Sequence, residues 1–574
     1  MTQSLIALTA LLTLPALAST NRFFLATATV SPAAANPSWI GLPLAIAAGD
    51  VLSIAFSAEP VTEAEHSGGQ AGMVLKVLPS ANANSGAGVV FQHILLVGES
   101  TESFRLAFRS PRAFAPGEAT LLASSAVFRR PMTLSHIRVT NHGPDAKPEA
   151  LQTGVTSYPG QAPDAPWRAE AARRIDRYRK AELAVRVTDR LGRALSNATV
   201  EVTQVRHAYP FGSAVVATRL IDAPVEPVSG TRADWLADNQ RYRAELKRLF
   251  NCAVFENDLK WPQWAGERPA RNRQEWTLAA ADWLCREGFD VKGHTLVWAS
   301  WERSPGWLRA HESESETLQA AILAHIRDIG SATAGWTRWW DVLNEPMSHR
   351  DLITLLGTAR VAEWFKEARR VLPGTRLVLK DFDLIGNGGS PKRRADIIAL
   401  HRELVEHGAP VDVLGLQSHF WSDRLTPPET MWQIMDELHA ATGLPLMVSE
   451  FDMNLPNEAV QAEYTRDFLT AWFAHPASEA LLMWGFWGGA HWYQDAGAMF
   501  RRDWSEKPNL KAYTDLVLGE WWTRTNATTQ ADGIAPVRVL QGRHRVTIRL
   551  PEHQTIVREV EVPASGATLP GVLH

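Results

Sequence analysis

Two cysteines in 574 residues, Cys252 and Cys285, are too few for a disulfide framework and cannot alone build a structural zinc site. Stability must come from apolar cores. A dominant charge sign is also missing, since 58 Lys and Arg stand against 62 Asp and Glu for a formal net charge of −4, with no long run of either sign. That excludes the electrostatic footprint of a nucleic-acid or anionic-membrane binder and favours an uncharged partner. No apolar run is long enough for a membrane span, which takes about 20 residues. Gly and Pro, at 38 and 34, stay near background, which excludes collagen-like and low-complexity chains. Tyrosine is scarce at 7 residues, whereas tryptophan reaches 23, of which 19 fall between Trp235 and Trp504. That concentration needs a functional explanation.

The length calls for several domains. Residues 1–18 read as a cleavable signal peptide, because the apolar run 5–17 ends in Ala16-Leu17-Ala18 before Ser19, and a secreted or periplasmic protein is expected. The first four residues carry no Lys or Arg, which leaves a buried first element as the alternative. Short apolar runs separated by turn residues over 19–145 suggest a β-sandwich, and the Pro-, Ala- and Gly-rich stretch 146–166 reads as a linker. A small β lead-in unit is expected over 167–210 and a small C-terminal β-unit over 519–574. Between them, over 211–518, eight strand-like runs alternate with amphipathic helical runs, the pattern of a (β/α)₈ barrel of the α/β class. The expected strands are 211–217, 252–257, 291–298, 339–345, 376–382, 413–419, 446–451 and 481–487.

Catalytic residues of such a barrel gather where the strands end. The second run ends in Glu256-Asn257 with Lys260 beyond, the third holds His294 and Trp298, and the fourth ends in Asn344-Glu345. The sixth ends in Gln417-Ser418-His419, the seventh in Glu450 followed by Asp452, and the eighth opens into Trp484 with Trp492 after it. Two carboxylates on opposite walls among amides, histidines and indoles suit glycosidic cleavage, in which one carboxyl protonates the leaving oxygen and the other attacks the anomeric carbon. Indole faces pack on the C–H face of a sugar ring, and Asn, Gln, His and Lys bind its hydroxyls. This accounts for the excess of tryptophan. Neither a metal nor an organic cofactor is called for. The expected partner is a polysaccharide, and the protein is expected to be a monomer without a membrane span.

The runs FENDLKW (255–261), GHTLVW (293–298), WDVLNEP (340–346), LQSH (416–419) and SEFD (449–452) closely resemble glycoside hydrolase family 10, whose typical member is an endo-β-1,4-xylanase. The resemblance implies that Glu345 is the general acid/base, that Glu450 is the nucleophile and that Asn344 binds the sugar 2-hydroxyl. It further implies that His419 and Asp452 orient Glu450 and keep it ionised, while Gln417 and His294 line the same subsite. Glu256, Asn257 and Lys260 would hold the glycone side, with Trp298, Trp484 and Trp492 as walls. With Glu450 ionised, like-charge repulsion is expected to raise the pKa of Glu345. The sequence departs from the family pattern in two places. Ala299-Ser300-Trp301 stands where the family usually has His-Ser-Gln, which puts an indole, Trp301, in place of a glycone-binding Gln. The fifth strand reads Lys380-Asp381-Phe382-Asp383 where the family commonly has Asn-Asp-Tyr-Asn.

The stretch 167–214 resembles the lead-in of multidomain family members, and the sandwich resembles, less closely, a carbohydrate-binding module. Its only Trp is Trp39 and it has no Tyr, so binding and purely structural roles stand level. A retaining endo-β-1,4-xylanase is the leading reading. The alternatives are a retaining glycosidase on another β-1,4-linked glycan and a catalytically silent glycan-binding protein. Cys252 and Cys285 are either free thiols or one bridge.

Overall fold

The computed structural model describes residues 22–24, 28–30, 38–60, 71–82, 88–97, 102–125, 132–151, 158–226, 230–420, 424–455, 457–550 and 555–572. The expected signal segment 1–18 lies outside them. The chain divides into two compact units, with the second taking up the chain after residue 154. No helix of the described residues is long and apolar enough to cross a membrane.

The second unit is built on eight parallel strands. They are Phe211–Val215 (β1), Cys252–Phe255 (β2), Asp290–Gly293 (β3), Thr337–Asn344 (β4), Arg376–Asp381 (β5), Val413–Leu416 (β6), Leu446–Met453 (β7) and Ser478–Met483 (β8). Each pairs in parallel with its neighbours, β8 pairs with β1, and β3 pairs with β4, so the sheet closes into a barrel. Amphipathic helices alternate with the strands. Arg232–Leu249 begins in a capping box, with Asp234 N–H donating to the Thr231 side chain and Thr231 N–H to the Asp234 carboxylate.

Every strand ends within a few residues of its expected bounds, and the third, sixth and eighth depart from them most. The third stops at Gly293 and resumes as the two-residue piece Val297–Trp298. The sixth stops at Leu416, and after Ser418 turns into the left-handed region at φ 65° the chain resumes as His419–Phe420 against β7. The eighth is shifted towards the N-terminus, because Gly485 at φ 106° breaks the extended run before Phe486-Trp487.

Inside the barrel an apolar layer includes Cys252, Trp339, Val378, Val413 and Met447. Side chains two apart on a strand share a face, so Lys380 stands above Val378 and Asp341 above Trp339. A buried charged layer therefore rests on an apolar floor, directly beneath the strand ends. Gly293 is required here, since a Cβ would lie 2.1 Å from the buried Trp340 ring.

The two small β-units expected on either side of the barrel form one module. Lys180–Thr188 pairs with Ile534–Leu540 and Ala567–Val572, while Thr199–His207 pairs with Arg524–Thr528 and with Gly542–Arg549, which in turn pairs with Thr555–Val562. Leu183, Val185, Val200, Val202, Val537 and Val546 share its core. The helix ahead of it, Pro166–Arg179, belongs to the barrel's core through Trp167, Ala171 and Ile175.

The expected linker 146–166 is likewise structured at both ends. Pro148–Leu151 is a short helix, and on the other side Tyr158 is buried against the barrel. Tyr158 Oη donates to Asp467 Oδ2 at 2.8 Å, Gln161 Nε2 to Glu463 at 2.8 Å, and Arg168 grips both Asp467 oxygens at 2.6 and 2.8 Å.

The first unit comprises two antiparallel sheets. One runs Arg22–Phe24, Met132–Asn141, Val51–Pro60, Glu102–Arg109, with Ala28–Val30 also on Met132–Asn141; the other runs Ser38–Leu42, Ala119–Ser125, Ala71–Pro79, Phe91–Val97. Leu52, Ile54, Phe56, Leu75, Phe108 and Leu121 belong to the core they share. Both cysteines are free thiols, Cys252 buried on β2 and Cys285 exposed on the helix that follows.

Candidate active site

At the end of β7 the carboxylate of Glu450 is held from two sides. Oε2 lies 2.9 Å from His419 Nε2, whose Nδ1 lies 2.7 Å from Asp452 Oδ1. Oε1 accepts from the ammonium of Lys380 on β5. These partners overcome the burial that would raise Glu450 and hold it well below the usual carboxylate range. Burial would lower His419, but Asp452 and Glu450 outweigh it and push the imidazole up to about 10, so it is a cation at neutral pH.

Glu345 follows β4 directly, with its backbone in the left-handed region, φ 52°. Oε1 accepts from Gln417 Nε2 at 2.7 Å, and Oε2 lies 3.2 Å from His349 Nε2. His349 Nδ1 is 3.0 Å from Ser300 Oγ. This corrects the expected direction of its pKa. Burial and the Glu450 charge do raise it, but the hydrogen bonds from His349 and Gln417 outweigh them, and Glu345 sits below the ordinary glutamate value.

Asn344 is buried beside it, and its Nδ2 finds no acceptor among the described residues. An unpaired buried amide N–H is costly until it finds an acceptor. Trp298 Nε1 is in the same position. The Trp298 ring carries Lys260 Nζ at 5.4 Å and Arg303 at 4.5 Å from its centroid. Lys260 Nζ donates to Asn257 Oδ1 at 2.9 Å, and burial pulls its pKa down. Burial lifts the neighbouring Glu256 to about 7.

The indoles take different depths. Trp484 is buried, edge-on to His294 at 5.4 Å and to His419 at 6.3 Å. Trp492 is 48% exposed, its ring 5.1 Å from His419 and its Nε1 donating to Asp452 Oδ2 at 2.5 Å. Trp301 lies off this cluster. It is half-buried against the core of the barrel, its backbone N–H donates to Asp351 Oδ2 at 3.0 Å, and Arg309 sits 5.9 Å from its ring.

His294, Gln417, His419, Glu450, Asp452, Asn344 and Glu345 thus converge, with Trp484 and Trp492 around them; Glu256, Asn257, Lys260 and Trp298 form an adjoining group. Sequence reasoning missed Asp341, Lys292, His349 and Ser300, and met Lys380 only as a departure. Lys292 Nζ donates to Asp341 Oδ2, Lys380 Nζ is 2.8 Å from that oxygen, and His294 Nδ1 is 2.8 Å from it and 2.9 Å from Lys380. Burial first, then Lys380, lowers His294 to about 3, so its ring is neutral. One signal was available: a charged residue set between apolar ones within a barrel strand, as at Lys292, Asp341 and Lys380.

A family model described as Glycosyl hydrolase family 10 matches residues 225–516. Anti-sigma-I factor RsgI6 of Acetivibrio thermocellus is 28% identical over 67% of this chain and 47% of its own length. Endo-1,4-beta-xylanase 1 of Arabidopsis thaliana is 24% identical over 66% of this chain and 37% of its own. Endo-1,4-beta-xylanase B of Thermotoga neapolitana is 27% identical over 49% of this chain and 84% of its own. The chain thus spans less than half the length of the first two. The family match covers half of the chain and contains the strand ends that gather Glu345 and Glu450, and on that ground the chain belongs to glycosyl hydrolase family 10.

Proposed function

We propose that the barrel is a retaining endo-β-1,4-xylanase. The observation that carries this reading is a pair of carboxylates, one just after β4 and one on β7, in unlike settings: Glu450 ion-paired and ionised, Glu345 hydrogen-bonded by the neutral amide of Gln417 and by His349. A nucleophile must be ionised, and an acid must exchange a proton. The names of the Arabidopsis and Thermotoga relatives support xylan as the substrate.

The first step takes place in the form of the protein that carries a proton on Glu345: a Glu450 oxygen bonds to the anomeric carbon, the electron pair of the glycosidic bond passes to the leaving oxygen, and that oxygen takes the proton. In the second, water attacks the same carbon, gives a proton to Glu345, and the carboxylate of Glu450 leaves with its electron pair. Asn344 Nδ2 donates to the 2-hydroxyl, a bond that strengthens as charge develops at the reacting carbon. Trp484 and Trp492 present ring faces to the sugar. Export fits a polymeric substrate and is part of the proposal.

Proton NMR of the first product from xylan tests the mechanism. Retention gives the β-anomer first, with the carboxyls about 5–5.5 Å apart; initial release of the α-anomer refutes double displacement. Hydrolysis of xylan beside a soluble cellulose derivative separates xylanase from another β-1,4-glycanase.

A further inference from the structure

Lys380 is the feature of the site that the family motif does not account for. It stands where the family commonly has Asn, it is fully buried, and its stem fits because residue 415 on β6 is glycine: a Cβ there would come 2.9 Å from Lys380 Cγ. Its ammonium reaches Glu450 Oε1 directly and Asp341 Oδ2 at 2.8 Å. Glu450 Oε2 is already engaged by His419, so both oxygens of the carboxylate are bound to cations.

The cluster is electrically balanced: Lys292, Lys380 and protonated His419 face Asp341, Glu450 and Asp452. Other groups act on Glu450 from further off, namely neutral His294 just after β3, Glu345 just after β4, and Glu256 with Lys260 after β2. Lys292 does not replace Lys380, because its ammonium is turned to Asp341. Without Lys380 the balance tips to one surplus negative charge beside Glu450.

We propose that Lys380 is a positioning residue for Glu450 that shifts the balance between the two half-reactions, restraining attack and assisting departure. This rests on the function proposed above. In the first half-reaction Glu450 loses its negative charge as it bonds to the anomeric carbon, so an ammonium on the free carboxylate stabilises the starting state. In the second half-reaction the charge returns to the carboxylate as it leaves, and the same ammonium stabilises what is being formed. The ester intermediate is therefore short-lived in this protein.

The test uses the full chain and a 2-deoxy-2-fluoro-β-xylobioside with a good leaving group, which separates the half-reactions as an inactivation rate and a reactivation rate. In Lys380→Asn and Lys380→Met the ratio of reactivation to inactivation falls at least tenfold, and the acid limb of kcat/KM moves up by at least one pH unit. An unchanged ratio in folded variants overturns the proposal and leaves Lys380 a structural cation. Asn is the residue the family carries here, so that variant is compatible with the barrel even if Met is not. Carboxyl-carbon NMR of Glu450 provides a readout independent of turnover: its titration moves upward in Lys380→Asn, and an unmoved titration also refutes the idea. A wild-type protein that neither traps an adduct on Glu450 nor releases the leaving group of the fluoroglycoside instead refutes the function proposed above, and the NMR titration then decides the role of Lys380 alone.

Discussion

Tyr158 gives the sharpest measure of where the barrel's cooperative unit begins. Tyr158→Phe removes the O–H that donates to Asp467 at 2.8 Å but leaves both contacts from Arg168, so the loss is one hydrogen bond to a charged group, about 1.5–3 kcal/mol. Tyr158→Ala also removes a buried ring that meets Tyr464 edge-on at 5.0 Å. Aromatic-to-alanine changes in cores cost about 3–5 kcal/mol, so the sum is about 5–8 kcal/mol. Residues 155–574 make up most of the chain, and at about 2.1 cal/mol/K per residue over about 420 residues each kcal/mol moves the midpoint by about 1 °C. The expected shifts are about 2–3 °C for Phe and about 5–8 °C for Ala. Tryptophan fluorescence follows the barrel transition, since 19 of 23 indoles lie between Trp235 and Trp504. Trp167→Ala, which empties a buried site on the helix that follows, serves as the control. A Tyr158→Ala protein melting within 1 °C of wild type while Trp167→Ala falls by several degrees would show that residues 158–165 are a linker after all.

Glu450→Gln is expected to lower kcat at least a thousandfold with the melting temperature retained, and Glu345→Ala to hurt most on substrates with poor leaving groups, since only those need protonation; equal losses on nitrophenyl and alkyl glycosides would contradict the assignment. His349→Ala removes a hydrogen bond that lowers Glu345, so the acid stays protonated to higher pH and the basic limb of kcat/KM moves upward; a downward move would reverse the sign argued here. Histidine nitrogen NMR should find His419 still charged at pH 8, as a group pushed up to about 10 requires, and a neutral ring there would remove the cation from beside Glu450. Trp301→Ala tests the glycone-side expectation. A raised KM for short oligosaccharides with little change in kcat supports it, and unchanged kinetics in a folded protein assigns Trp301 to packing alone.

What the sequence made legible follows from where local pattern and site coincide. A polar residue closing an apolar run marks a strand end, and in a closed barrel all strand ends share one face; Asn344, Glu345, Gln417 and Glu450 were readable for that reason. Lys292, Asp341 and Lys380 lie on three separate strands, and only the pairing of those neighbouring strands in this register brings them within hydrogen-bonding distance. His349 belongs to the loop after Glu345, and its reach back to that carboxylate depends on the left-handed turn at Glu345, which no propensity announces. The flanking β-module was hidden differently: each strand has the expected alternation, but the partner of Thr199–His207 lies more than 300 residues away.

That separation has a consequence for biosynthesis. Strands Lys180–Thr188 and Thr199–His207 leave the ribosome with no partner, because Arg524–Thr528, Ile534–Leu540 and Gly542–Arg549 follow only after the entire barrel. At about 5–20 residues per second the wait is roughly 15–60 s, long against the folding of a hairpin. For that interval their alternating Val and Leu faces, Leu183, Val185, Val200 and Val202, are open to any strand edge that meets them. A nascent chain arrested just before residue 524 would be a sticky species, and release past residue 549 would quench it.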